Sequence, residues 1–166
     1  MTDSASPAGA AWSLFLTAHA VLVEKIERRL AAAGLPTLDW YDALWALERA
    51  QSQRLRMHEF ADWMVTSRSN ITRLIDRLET AGLVRRERTD DDRRGAYAVL
   101  SPEGRRMRKR MWPVYEKAIG ELFDQHLSAM EIRHTEAAMR KLIAANRIPP
   151  ARRRGSATAI LDPATR

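Results

Sequence analysis

The sequence predicts a mainly α-helical protein that carries one small β-hairpin. Three observations predict it. Apolar residues recur every three or four positions from Trp12 to Leu30 and again from Ile71 to Leu78, the period of a helix with one buried face. After Gly82 the period drops to two on either side of an Asp- and Gly-containing turn, the pattern of two paired strands. Gly, Pro and capping residues mark the boundaries between stretches, where helices start and stop.

Taken in order, residues up to about Ala10 are small and polar and are expected to be loose. A first helix carries Trp12, Phe15, His19, Leu22, Val23, Ile26 and Leu30; Gly34 and Pro36 end it. Thr37 caps a second helix with Asp39 in its first turn and Leu38, Tyr41, Leu44, Trp45 and Leu47 as apolar positions. Gln51–Gln53 reads as a turn, and Arg54-Leu55-Arg56 is too short to assign from pattern. A short third helix is expected from about His58 to Val65, and a fourth carries the stripe Ile71, Leu74, Ile75, Leu78, with Gly82 at its left-handed C-terminal cap. Residues 83–88 and 96–100 are the hairpin strands around the charged turn 90–95. Ser101-Pro102 opens a long fifth helix to about His126, kinked at Pro113. Ser128 to Glu131 is a capping box that opens a sixth helix to about Asn146. Pro149-Pro150 and Arg152-Arg153-Arg154 begin a basic tail.

A length of 166 residues fits one domain, or one with an appended element. Such a chain buries roughly 70% of its unfolded surface, enough for a real core. Hydrophobic residues at 45% and charged residues at 30% exclude full disorder. The absence of Cys excludes disulfides, Cys-based zinc sites, a catalytic thiol and a thiol redox switch. The N-terminus lacks a signal-peptide pattern and no apolar run approaches a membrane span, so a cytoplasmic protein is expected, with no membrane partner.

The net charge of +7 and a pI of about 10.5 favour a polyanionic partner. Acidic residues outnumber basic ones up to Arg49, whereas Arg dominates from Arg68 onward and Lys is scarce. Arg makes forked contacts to phosphate and guanine that Lys cannot. Two short helices followed at once by a charged hairpin form a winged helix-turn-helix. One helix fits the major groove of B-DNA, the preceding helix braces it, and the hairpin brings cations to the minor groove. On the fourth helix Arg68, Ser69, Asn70, Thr72 and Arg73 are the expected base and phosphate contacts, with Ser67 and Arg77 contacting phosphate or bracing the helix. Arg93 and Arg94 are the expected wing cations; Asp92 is expected to orient one of them or Arg86, which makes Asp92 and Arg86 wing supports. The plain alternative for each is a solvated polar face.

The stretch from Ser67 to Ser101, SRSNITRLIDRLETAGLVRRERTDDDRRGAYAVLS, resembles the core signature of the MarR family of transcriptional regulators. The matching features are Asp76-Arg77-Leu78-Glu79, Gly82-Leu83-Val84, the Asp92-Arg93-Arg94 wing, and Leu100-Ser101 leading to Gly104. Upstream, residues 38–44 resemble the second helix of that family, and the likeness spans about Trp12 to Asn146. The resemblance implies a homodimer in which residues 11–36 and 102–146 form a helical dimerisation domain and 37–101 the winged DNA-binding domain, between a flexible 1–10 and a basic tail, 147–166. It implies binding to a pseudo-palindromic operator on double-stranded DNA, commonly with repression, and release by a small aromatic or phenolic effector.

For that effector the sequence offers Trp12, Phe15, His19, Trp40, Tyr41, Trp45, Trp112 and Tyr115 as pocket candidates, with ordinary core and dimer packing as the alternative. No cofactor is expected. The four histidines form no metal-ligand spacing. With no nucleophile motif, phosphate loop or matched carboxylate pair, an enzyme is not expected. A winged-helix module for protein–protein contact is the remaining alternative; its wing needs no adjacent arginines.

Overall fold

The computed structural model describes residues 6–64, 68–88 and 96–146, with all their side chains except those of residues 61–63, 68, 69 and 88. The helices are α1 (Pro7–Ala32), α2 (Leu38–Arg49), α3 (Met57–Met64), α4 (Arg68–Thr80), α5 (Pro102–Leu122) and α6 (Ala129–Asn146). The strands are β1 (Arg54–Arg56), β2 (Val84–Arg88) and β3 (Ala96–Leu100). They form one antiparallel sheet in the order β1-β3-β2.

Several ends follow from local chemistry. Helix α1 starts at Pro7, earlier than expected, because the Ser6 hydroxyl accepts from the Gly9 N–H (3.1 Å) and proline suits the first helical position. Thr37 occupies the N-cap of α2, but its hydroxyl turns to Asp39 and makes no cap hydrogen bond. Glu27 reaches over from α1 instead and accepts the Leu38 N–H at 2.8 Å. Ser128 and Glu131 form the expected reciprocal cap of α6. Helix α5 runs on through Pro113 but stops at Leu122, and Asp124–His126 is a separate 3₁₀ turn rather than its last turn.

Two hydrophobic clusters share α2. One packs Leu44, Leu47, Phe60, Ile71, Ile75 and Leu78 against the sheet residues Leu55, Val84, Ala98 and Leu100. The other joins Ile26 and Leu30 of α1 to Tyr41 of α2 and to Met111 and Ala118 of α5. The two parts meet at the root of the wing. Gly82, at φ +72°, ends α4 in the left-handed region that glycine tolerates. Ser101 then caps α5 by accepting from the Gly104 N–H (2.9 Å) and donates its hydroxyl to the Gly82 carbonyl (2.8 Å). A Cβ on Gly104 would lie 2.1 Å from the Leu83 carbonyl oxygen, so only glycine permits this approach.

Candidate nucleic-acid interface

Helix α4 buries Ile71, Leu74, Ile75 and Leu78 and leaves Asn70, Thr72, Arg73 and Arg77 exposed on its other side. That is the two-sided helix the sequence predicts. Arg68 and Ser69 belong to α4 by backbone, while Ser67, Asp92, Arg93 and Arg94 lie outside the described residues.

The exposed face is held by ion pairs to its neighbours. Arg77 Nη2 meets Asp39 Oδ2 at 2.8 Å, which ties α4 to the start of α2. Arg86 of β2 points to the inner face of the sheet, where Nη2 meets Asp76 Oδ1 at 2.5 Å and Nη1 meets Glu79 Oε2 at 3.0 Å. Its backbone N–H also donates to Glu79 Oε1 at 3.1 Å. Two carboxylates one helical turn apart thus clamp one guanidinium, and a planar fork suits that task. The wing root and α4 become one unit. Sequence reasoning offered Asp92, outside the described residues, as a partner for Arg86 and did not pair Arg86 with Asp76 and Glu79 or Arg77 with Asp39; the i,i+3 spacing of Asp76 and Glu79 was the available signal.

The aromatic set does not converge. Tyr41, Trp112 and Tyr115 form one group: Tyr41 stacks on Trp112 (6.1 Å, 19°) and meets Tyr115 edge-on (5.0 Å, 74°). Trp12 and Phe15 contact each other on the outer part of α1. Trp40 packs on the core of the winged part. Trp45 packs on the second cluster, with the Arg49 guanidinium 5.3 Å from its ring centroid. Of all eight, only His19 lines the cleft of about 790 Å³ between α1, α2 and α4.

That cleft is amphipathic. Val23, Leu38 and Leu74 supply apolar wall, and Glu27, Asp39 and Asp42 supply carboxylates. Asn70 and Arg73, two of the expected DNA contacts, line it from α4. Asp42 is open to solvent on the cleft side, yet protein crowds it. Partial burial, with Asp39 and Glu27 nearby, pushes its carboxyl up to about 6. Burial and then the Asp42 and Tyr41 charges push the Tyr115 phenol up to about 12. Among the described residues no three His, Asp or Glu side chains gather as a metal site, and no helix is long and apolar enough to cross a membrane.

A family model described as the MarR family matches residues 33–95, the winged part from the end of α1 to the hairpin. The transcriptional repressor MprA of Escherichia coli (strain K12) is 30% identical over 123 residues, which are 74% of this chain and 68% of MprA. The chain belongs to the MarR family. Solved MarR-family structures agree in fold. AbsC from Streptomyces coelicolor superposes with a TM-score of 0.75 at 28% identity, covering 84% of this chain and 95% of AbsC. Sco3205 from the same organism, solved in complex with DNA, gives a TM-score of 0.76 at 28% identity, covering 86% and 88%. This MarR protein is therefore a winged-helix transcriptional regulator and not an enzyme. The family match spans α4 and β2 and stops before β3, so the ion pairs Arg77–Asp39 and Arg86–Asp76/Glu79 sit inside the matched segment.

Proposed function

We propose that this MarR protein is a homodimeric, sequence-specific DNA-binding repressor that reads a pseudo-palindromic operator and is released by a small ligand. The observation that carries the DNA reading is α4, with a buried apolar stripe, an exposed Asn70-Thr72-Arg73 edge, and ion pairs that fix it to α2 and β2. A recognition helix must hold its side chains in register with base edges, and such bracing does that. A relative named as a repressor and a neighbour solved on DNA favour the same reading.

Dimerisation is favoured by what α1 and α6 leave uncovered. Helix α6 has 18 residues and none is buried. Its Met130, Leu142 and Ile143 are exposed, as are Trp12, Leu14, Phe15, Leu16 and Val21 of α1. An apolar surface of that extent is the mark of an interface, and a second copy is the simplest cover. Two recognition helices related by a two-fold axis would enter grooves about 34 Å apart. Ligand release is favoured by the cleft, which shares Asn70 and Arg73 with the DNA-reading edge. An aromatic effector seated on Val23 and Leu74 would compete with DNA for those side chains.

Selection of binding sites from a random duplex pool, followed by affinity against salt, tests the reading. A two-fold symmetric site is expected. Arg94→Ala should then lower the salt slope by about one phosphate equivalent, and Arg73→Ala should relax sequence preference. Enrichment of no sequence, with only weak salt-sensitive binding, would overturn it.

A further inference from the structure

The sheet has two faces, and the core uses one. Pairing places Leu55, Ala98 and Arg86 in one row; Leu55 and Ala98 are buried, and Arg86 is committed to Asp76 and Glu79. The rows on either side project to the opposite face. They are Arg56, Tyr97, Glu87 and Arg54, Val99, Arg85. Among the described residues these two rows carry three guanidiniums and one carboxylate, Glu87, which Arg85 takes at 2.7 Å.

The other two arginines share a ring. The guanidinium carbons of Arg54 and Arg56 lie 4.8 and 5.0 Å from the Tyr97 centroid. Arg56 Nε also donates to the Tyr97 hydroxyl at 2.8 Å. The nearby Glu59 carboxylate accepts the backbone N–H of Arg56 at 2.9 Å. Arg54 is exposed and makes no ion pair among the described residues. The Arg54 charge is therefore open to solvent, and the Tyr97 ring offsets only part of its demand for an anion. A bound anion meets the rest. Stacking on Tyr97 already restrains the planar forks, so less rotamer entropy is lost when they meet phosphate.

The place fits DNA. The Arg56–Tyr97 row is one step, roughly 3.3 Å, from the Arg88–Ala96 pair, the last before the segment 89–95 that carries Arg93 and Arg94. Strand β1 runs directly into α3, on the way to α4. We propose that Arg54 and Arg56, seated on Tyr97, form an additional phosphate-binding surface that grips the DNA backbone flanking the operator half-site. This rests on the operator-binding reading above. A duplex presents one charge per about 1.7 Å of axis, so a longer flank supplies the anion this face would neutralise.

The test uses the full chain and its selected operator, made with short and with long flanks. The wild-type protein should bind the long duplex more tightly. Arg54→Gln/Arg56→Gln should lose that gain and keep its sequence preference, and its salt slope should fall by about 0.9 for each phosphate it no longer neutralises. Tyr97→Leu should lower both in the same direction, and Arg54→Lys/Arg56→Lys should keep most of the slope. Thermal melts establish that each variant is folded; if the double variant is not, the exposed single change Arg54→Gln decides. An unchanged flank gain and slope, on an operator still bound, overturns this surface alone. A wild-type protein that enriches no sequence overturns the operator reading and this surface with it.

Discussion

The winged part and the helical body complete their cores by different means. Around α2, α3, α4 and the sheet, fourteen of the described residues are buried in one cluster. Where α1, α2 and α5 meet, the cluster has five, and α6 adds none. The winged part therefore closes its core within one chain. The body leaves Trp12, Phe15 and Leu142 outside, the face that the proposed second copy would cover. The shape of the DNA-reading unit is then set by its own sequence, whereas in the proposed dimer the stability of the body would depend on protein concentration.

The most damaging change should be Trp12→Glu/Leu142→Glu. Charges placed in the uncovered face should yield a monomer by sedimentation, with operator affinity reduced by about 10²–10⁴-fold as the linked second half-site is lost. A dimer of unchanged affinity would show that this face is not the interface. Phe60→Ala in the winged core should cost about 3–5 kcal/mol in denaturant unfolding, because the side chain is fully buried. Leu142→Ala in a dilute monomer should cost within about 0.5 kcal/mol; equal costs would erase the contrast. Arg86→Met should cost about 1 kcal/mol, since its ion pairs are partly solvated. Its loss of operator affinity should exceed its loss of stability, because α4 and the wing would no longer move together.

The smallest effect concerns Asp42. Its folded carboxyl sits at about 6, above the ordinary carboxylate value. Between those values the folded state binds a proton that the unfolded state does not, so this group's contribution falls as pH rises through about 6. Asp42→Asn should raise Tm at pH 7.5 by about 2 °C, discounting for solvent access, and should change it little at pH 4.5. An equal shift at both pH values would remove proton linkage as the cause.

The periodic elements and their caps were legible in the sequence because their causes are local. Gly82, Ser101-Pro102 and Ser128-Glu131 act within a few residues of themselves. What escaped was set by distant partners. Three residues cannot reveal a period, and β1 exists because Arg54 pairs with Val99 and Arg56 with Tyr97. Glu27 caps α2 from eleven residues away. The first turn of α1 has no apolar rhythm, so Ser6-Pro7 was its only mark. At the site, α4 was legible by its stripe. The aromatic candidates were grouped by helix rather than by the direction each side chain takes, and the fold sends Trp40, Trp45 and Trp12 three separate ways.

The close approach at Gly104 makes the protein a lever. Backbone meets backbone there, with no side chain to yield between α5 and the wing root. Helix α5 has 21 residues and is a rod of roughly 30 Å. If it tilts by roughly 5° about its far end, the near end travels roughly 3 Å, and the reading head must travel with it. On the proposed two-fold operator, small motions in the stem would thus change the stride between half-sites, while the head itself stays rigid.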